Sequence, residues 1–157
     1  MAMENNSVTV TVQNAEAMRA LGTRLGERLF PGAFVALFGG LGAGKTTLTT
    51  GLADALGIFD ISSPTFTIVK RHPGDLLLDH FDAYRIEDED ELYAIGYEDH
   101  LASSSVIVME WCENVLCALP NERLEIHIEG SGNDARLVTA EAFGEEYVKL
   151  LEAFLPC

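Results

Sequence analysis

The sequence predicts an α/β fold built as one domain over residues 1–157. Two observations carry that expectation. The short apolar runs Phe34-Val35-Ala36-Leu37-Phe38 and Val106-Ile107-Val108-Met109 have the length and continuity of strands covered on both faces. Stretches of helical spacing alternate with such runs, and no linker long enough to separate domains interrupts them.

From the N-terminus, Val8-Thr9-Val10-Thr11-Val12 alternates as a half-buried strand does. Asn14 is suited to cap a helix whose apolar face carries Met18, Leu21, Leu25 and Leu29, with Pro31-Gly32 ending it. Gly22 and Gly26 inside that helix cost about 1 kcal/mol each relative to alanine, which suggests close approach of another backbone or simply a tolerated weakness. After the first apolar strand, Thr46 to Leu56 reads as a helix with Leu48, Leu52 and Ala55 inward and Gly57 as its stop. Phe66 to Val69 is expected as a strand, His72-Pro73-Gly74-Asp75 as a hairpin turn, and Leu76 to Asp82 as the return strand. Helical stretches follow at Glu87 to Ala94 and near Glu98 to Leu101. The second apolar strand runs into Glu110. Leu124 to Glu129 and Leu137 to Ala142 read as strands around the turn Gly130-Ser131-Gly132-Asn133-Asp134, and Tyr147, Val148, Leu151 and Phe154 mark one face of a final helix.

With 48% hydrophobic and 22% charged residues the composition is that of a globular chain. No apolar run approaches the roughly 18 residues of a membrane helix. Residues 1–6 have neither the basic region nor the apolar stretch of a secretory leader, so a cytoplasmic location and no membrane association are expected. Cys112, Cys117 and Cys157 form neither a disulfide framework nor, with His100 and His127, the spacing of a zinc site. The net charge of −15 argues against unaided nucleic-acid binding, because an acidic surface repels phosphates.

One motif carries chemistry by itself. Gly39-Gly40-Leu41-Gly42-Ala43-Gly44-Lys45-Thr46 meets the spacing G-x-x-x-x-G-K-T, with a buried strand before it and a helix after it. Its glycines allow backbone angles that turn successive N–H groups inward around an anion, and the following helix adds its positive end. Lys45 can reach the β- and γ-phosphates of a nucleotide, and the Thr46 hydroxyl can ligate Mg²⁺. ATP and Mg²⁺ are therefore the expected cofactors.

A P-loop site also needs an acidic residue at the end of a neighbouring strand. Glu110, after four apolar residues, fits that position, and Asp79 and Asp82 are alternatives. Strand alternation groups His80 with Asp82 and sends Asp79 to the other face. It does not rank Glu110 above Asp82. Thr65 stands between the P-loop helix and the next strand, where nucleotide switches carry a threonine that senses the γ-phosphate.

Taken in order, the P-loop with Thr47, Ser63-Pro64-Thr65-Phe66-Thr67, His80-Phe81-Asp82-Ala83-Tyr84-Arg85, Glu91-Leu92 with Gly96-Tyr97, and Glu110-Trp111 with Glu113 resemble the TsaE (YjeE) family. The resemblance spans nearly the whole chain. It implies a P-loop NTPase-like three-layer sandwich, a central mixed sheet with helices on both faces. It also implies a weak ATPase that works with the TsaB and TsaD proteins in threonylcarbamoyl modification of adenosine in tRNA, touching the tRNA only through that complex. By the same resemblance, Leu41 to Thr47 hold phosphate, and Thr46, Glu110 and Asp82 form the metal site. Asp82, Glu110 and Thr65 act in catalysis, Trp111 lies beside the site, and Ala15 and Arg136 lie near the adenine.

Two other functions compete with an ATPase. A small-molecule kinase on the same scaffold needs mobile arginines over the phosphates, and this chain has seven arginines without a cluster. A non-catalytic module gated by nucleotide needs no acids at 82 and 110.

Overall fold

The computed structural model describes residues 6–59, 61 and 68–155. Thr65, together with Ser63, Pro64, Phe66 and Thr67, lies outside the described residues, as does Cys157. Among the described residues seven strands form one mixed sheet: β1 (Ser7–Val12), β2 (Phe34–Phe38), β3 (Val69–His72), β4 (Leu78–Asp82), β5 (Val106–Glu110), β6 (Arg123–Glu129) and β7 (Arg136–Phe143). Their order across the sheet is β1-β7-β6-β2-β5-β4-β3. The inner strands β6, β2, β5 and β4 are parallel, and antiparallel partners flank them at both sides.

Alternation along β2 divides the interior into two layers. Val35 and Leu37 enter a core completed by α1 (Ala15–Gly26), α2 (Lys45–Ala55) and the C-terminal segment. Phe34, Ala36 and Phe38 enter the opposite core, where Ile107, Met109 and Phe81 meet Leu92 of α3 (Glu89–Ala94), Tyr97 of α4 (Tyr97–Ala102), Cys112 and Val115. Helices thus cover both faces, and the wholly apolar composition of β2 follows from having no wet side. No helix of the described residues is long and apolar enough to cross a membrane.

The helix α1 begins as its cap predicts: the Asn14 side chain accepts the Ala17 N–H at 2.8 Å. It ends at Gly26, earlier than the apolar spacing through Leu29 suggests. Beyond Gly26 the N–H groups of Arg28 and Leu29 turn to carbonyls three residues back, and the approaching Pro31 disfavours helical angles before it. Leu29 still packs against the core from outside the helix. Gly22 and Gly26 do mark a close approach. A Cβ on Gly22 would stand 2.1 Å from the Leu48 carbonyl oxygen, and one on Gly51 of α2 would stand 1.9 Å from that of Arg19. The two helices cross backbone against backbone.

The hairpin forms, with different bounds. His72 belongs to β3, and the return strand starts at Leu78. Residues 73–77 do not pair with β3: the Asp75 N–H is bonded to the Leu56 carbonyl at 2.7 Å, and the Leu77 carbonyl accepts the Val106 N–H at 2.8 Å. The final helix is also shorter than its periodicity suggests. One α-helical turn, α5 (Glu145–Val148), gives way to a 3₁₀ segment at Lys149–Phe154. Burial at Tyr147, Leu150 and Ala153, and at Leu151 and Phe154, follows a spacing of three, which a 3₁₀ turn satisfies. Ala55 of α2 is half-buried, while Leu48 and Leu52 are buried.

Candidate nucleotide and metal site

In a parallel sheet, sites form beyond the carboxyl ends of the strands. Here β2, β4 and β5 end together, at Phe38, Asp82 and Glu110. β2 runs into the glycine loop, where Gly39, Gly42 and Gly44 take φ of 154°, 76° and 114°. Such angles are open to glycine and strained for residues with a Cβ, so the loop can fold back tightly before α2. Lys45 starts α2, and its ammonium donates to the Gly39 carbonyl at 2.6 Å. Burial lowers the lysine pKa, and Glu110, Glu113 and Asp82 work against that shift.

Register brings the two acids side by side. Asp82 of β4 pairs directly with Glu110 of β5. Glu110 is buried, and Asp82 is half-buried with Oδ1 accepting the Tyr84 N–H at 2.9 Å. Burial raises the Asp82 pKa, and Glu110 adds to the rise against the Tyr84 hydrogen bond and the charge of Lys45. Two carboxylates opposite one another on a ladder repel, so a cation between them is favourable. Asp79 is on the far face, as alternation predicts. Its carboxylate is bonded to Arg71, His100 and Ser105 and has no part in this site.

A pocket of about 370 Å³ is lined by Leu41, Gly42, Ala43, Gly44, Lys45, Thr46, Thr47, Asp82, Glu110 and Trp111. Its donors suit Mg²⁺: the Thr46 hydroxyl and two carboxylates, all hard oxygen ligands, beside glycine backbone and one ammonium that suit phosphate. Lys45 is the one cationic side chain among these lining residues. A second pocket of about 310 Å³ adjoins it over Gly42, Ala43, Gly44 and Thr47, and extends past Ala15 to Arg136. Every residue that the resemblance places in the site therefore lines one pocket or the other, except Thr65, which lies outside the described residues.

Several features of the site were not legible from the sequence. Gln13, Asn14, Met18 and Asn133 also line the second pocket. Arg136 braces the phosphate loop: its guanidinium donates to the carbonyls of Ala43 at 2.9 Å, Gly42 at 3.0 Å and Gly132 at 3.1 Å, and also to that of Asp134. Trp111 has φ 60° and ψ 41°, the one non-glycine with positive φ among the described residues. Its ring lies 3.5 Å below the Lys45 ammonium and 4.9 Å from the Tyr84 ring. Such a backbone costs about 1–3 kcal/mol, and here it accompanies a cation held over an aromatic face. A further group of possible donors, Glu125, His127 and Glu141, lies on β6 and β7 with the His127 ring stacked on Phe38 at 4.3 Å, and both Glu125 oxygens are engaged by Arg123 and His127.

Residues 12–138 match the family described as threonylcarbamoyl adenosine biosynthesis protein TsaE. The chain belongs to the TsaE family. A TsaE protein of Bacillus subtilis is 42% identical over 141 residues, covering 88% of each chain. One from Streptomyces coelicolor is 42% identical over 139 residues, 83% of this chain and 93% of that one. The crystal structure of Bacillus subtilis YdiB superposes with a TM-score of 0.79 at 35% identity, over 93% of this chain and 92% of that one. The three-layer α/β architecture is thus that of a solved relative of this TsaE-family chain.

Proposed function

We propose that this TsaE-family chain, acting over residues 1–157 as a single ATPase domain, binds ATP with Mg²⁺ and hydrolyses it to ADP and phosphate. The observation that carries the reading is the convergence of Lys45, Thr46, Asp82 and Glu110 on one pocket at the mouth of the glycine loop. The curated relatives are named for tRNA threonylcarbamoyladenosine biosynthesis, and that is the process we assign to this chain. Its place is the cytoplasm, its partners are TsaB and TsaD, and tRNA is met through them.

The second pocket, bounded by Ala15, Met18 and Arg136, is where the base would lie. The loop N–H groups and the Lys45 ammonium would hold the β- and γ-phosphates. Thr46, Glu110 and Asp82 would hold Mg²⁺. The metal's contribution is to neutralise charge on the phosphate oxygens. Asp82 has one oxygen fixed by the Tyr84 N–H, which leaves the other to orient a water. Thr65 is the switch threonine on the strength of the resemblance.

A kinase reading is disfavoured by Arg136, whose guanidinium is already committed to backbone carbonyls and is not a free clamp on phosphate. The test is ADP release by the purified chain, alone and with the two partner proteins, with Lys45→Ala beside it. Turnover should fall at least about tenfold in the variant, one transition-state contact of about 1.4 kcal/mol or more, with its melting temperature kept. Unchanged turnover in a folded Lys45→Ala protein would defeat the assignment.

A further inference from the structure

Glu110 makes one contact that binding of nucleotide does not require. His80 of β4 presents Nε2 to Glu110 Oε2 at 2.7 Å, and both side chains are buried, 1% and 5% exposed. In the parallel ladder His80 stands opposite Val108, so the ring reaches along the sheet face toward the carboxylate two residues on. The other ring nitrogen, Nδ1, is buried and has no hydrogen-bond partner among the described residues.

That pairing selects one tautomer. A neutral imidazole has one N–H and one lone pair. With the hydrogen on Nδ1, a buried donor would be orphaned and a nitrogen lone pair would face a carboxylate oxygen at 2.7 Å. With it on Nε2, the ring donates to Glu110, and the unpaired atom is an acceptor, the less costly kind to leave alone.

We infer that His80 is a positioning residue for Glu110. Its Nε2–H fixes Oε2, which leaves Oε1 as the oxygen available to the pocket that Glu110 lines. A glutamate at a strand end has three side-chain torsions to restrain. One charge-assisted hydrogen bond from a buried ring restrains them without adding charge. Partners of this kind change metal affinity by about 10–100-fold when removed. The inference rests on the reading of Glu110 as a metal-site acid.

The test compares three substitutions. His80→Gln keeps an amide N–H at the same distance along the side chain as Nε2, His80→Asn withdraws it to the level of Nδ1, and His80→Leu abolishes it. ADP binding is measured by calorimetry in chelator and during Mg²⁺ titration, with melting temperature as the control for folding. The asparagine and leucine variants should need about tenfold more Mg²⁺ with metal-free ADP binding unchanged, while glutamine stays close to wild type. In a Glu110→Gln background the His80 substitutions should add nothing. Should the leucine variant not fold, the glutamine–asparagine pair carries the comparison. In the metal-free wild type, imidazole ¹⁵N shifts should report the Nε2–H tautomer and respond to Glu110→Gln. A Mg²⁺ response equal to wild type in the folded leucine or asparagine variant, or an Nδ1–H tautomer, overturns the inference alone. A wild type that binds ADP indifferently to Mg²⁺ overturns the metal-site reading together with it.

Discussion

At the scale of residues, buried polar side chains sort cleanly by sheet face. His80, Asp82 and Glu110 face the P-loop helix, and Asp79 faces the other core. Burial alone would push the Asp79 pKa up. Hydrogen bonds from Arg71, Ser105 and His100 outweigh it and hold the carboxyl below its ordinary value. Because the folded pKa is depressed, the unfolded chain takes up the proton first as pH falls. The Asp79 contribution is therefore complete above the ordinary carboxylate pKa of about 3.9 and is lost as pH drops through the folded value. Asp79→Asn is expected to lose about 2 kcal/mol at pH 7, the scale of hydrogen bonds to a charged group, and much less at pH 3. Urea unfolding of both proteins at the two pH values measures this, and a gap that does not narrow in acid would remove the charge from the explanation. The same residues show what sequence can reveal. The loop and Thr46 are contiguous, and alternation alone separates Asp79 from Asp82. The His80–Glu110 bond, the Arg136 brace and the left-handed Trp111 depend on strand order and loop path, which no local pattern records.

At the scale of elements, the site is only as rigid as the seat of α2. That helix begins with Lys45 and lies against α1 across Gly22, Gly26 and Gly51. The sequence marks the first two glycines as an anomaly within a helix, and the cause is the backbone of the partner helix. Arg19 and Asp54 close the same crossing at 2.7 Å. Gly51→Ala gains roughly 1 kcal/mol in helix propensity. Its Cβ must nevertheless displace a backbone carbonyl, which cannot yield as a flexible side chain can, so the variant should lose roughly 1–3 kcal/mol net. Chemical denaturation gives the sign. A stabilised Gly51→Ala protein would mean the helices separate freely, and the crossing would not then hold the P-loop helix in place. Boundaries were the less legible part of the elements. α1 stops before its apolar spacing does, and the last segment winds as 3₁₀, because both ends are decided by what they dock against.

At the scale of the whole molecule, the deciding quantity is charge. Twenty-five acidic side chains against ten basic ones leave −15, and much of the cationic minority is already engaged. Arg19, Arg71 and Arg123 pair with Asp54, Asp79 and Glu125, Arg136 holds the phosphate loop, and Lys45 sits inside the pocket. Each phosphate contact with RNA needs a cation, and affinity falls with salt in proportion to the number of such contacts. The isolated chain should therefore bind tRNA no tighter than about 1 µM at physiological salt, the upper range of non-specific binding. The proposed role in tRNA modification then requires docking on partners that hold the RNA. ATP should strengthen that docking if Thr65 senses the γ-phosphate, since only a ligand with different affinity for two states can shift between them. Binding to the TsaB–TsaD pair, measured with ATP, with ADP and without nucleotide, should be tightest with ATP, and Thr65→Ala should bring the three closer together. Submicromolar tRNA binding by the chain alone would overturn the electrostatic argument. Docking indifferent to nucleotide would take the switch away from Thr65, while the pocket of Lys45, Thr46, Asp82 and Glu110 would stand as a site for ATP in its own right.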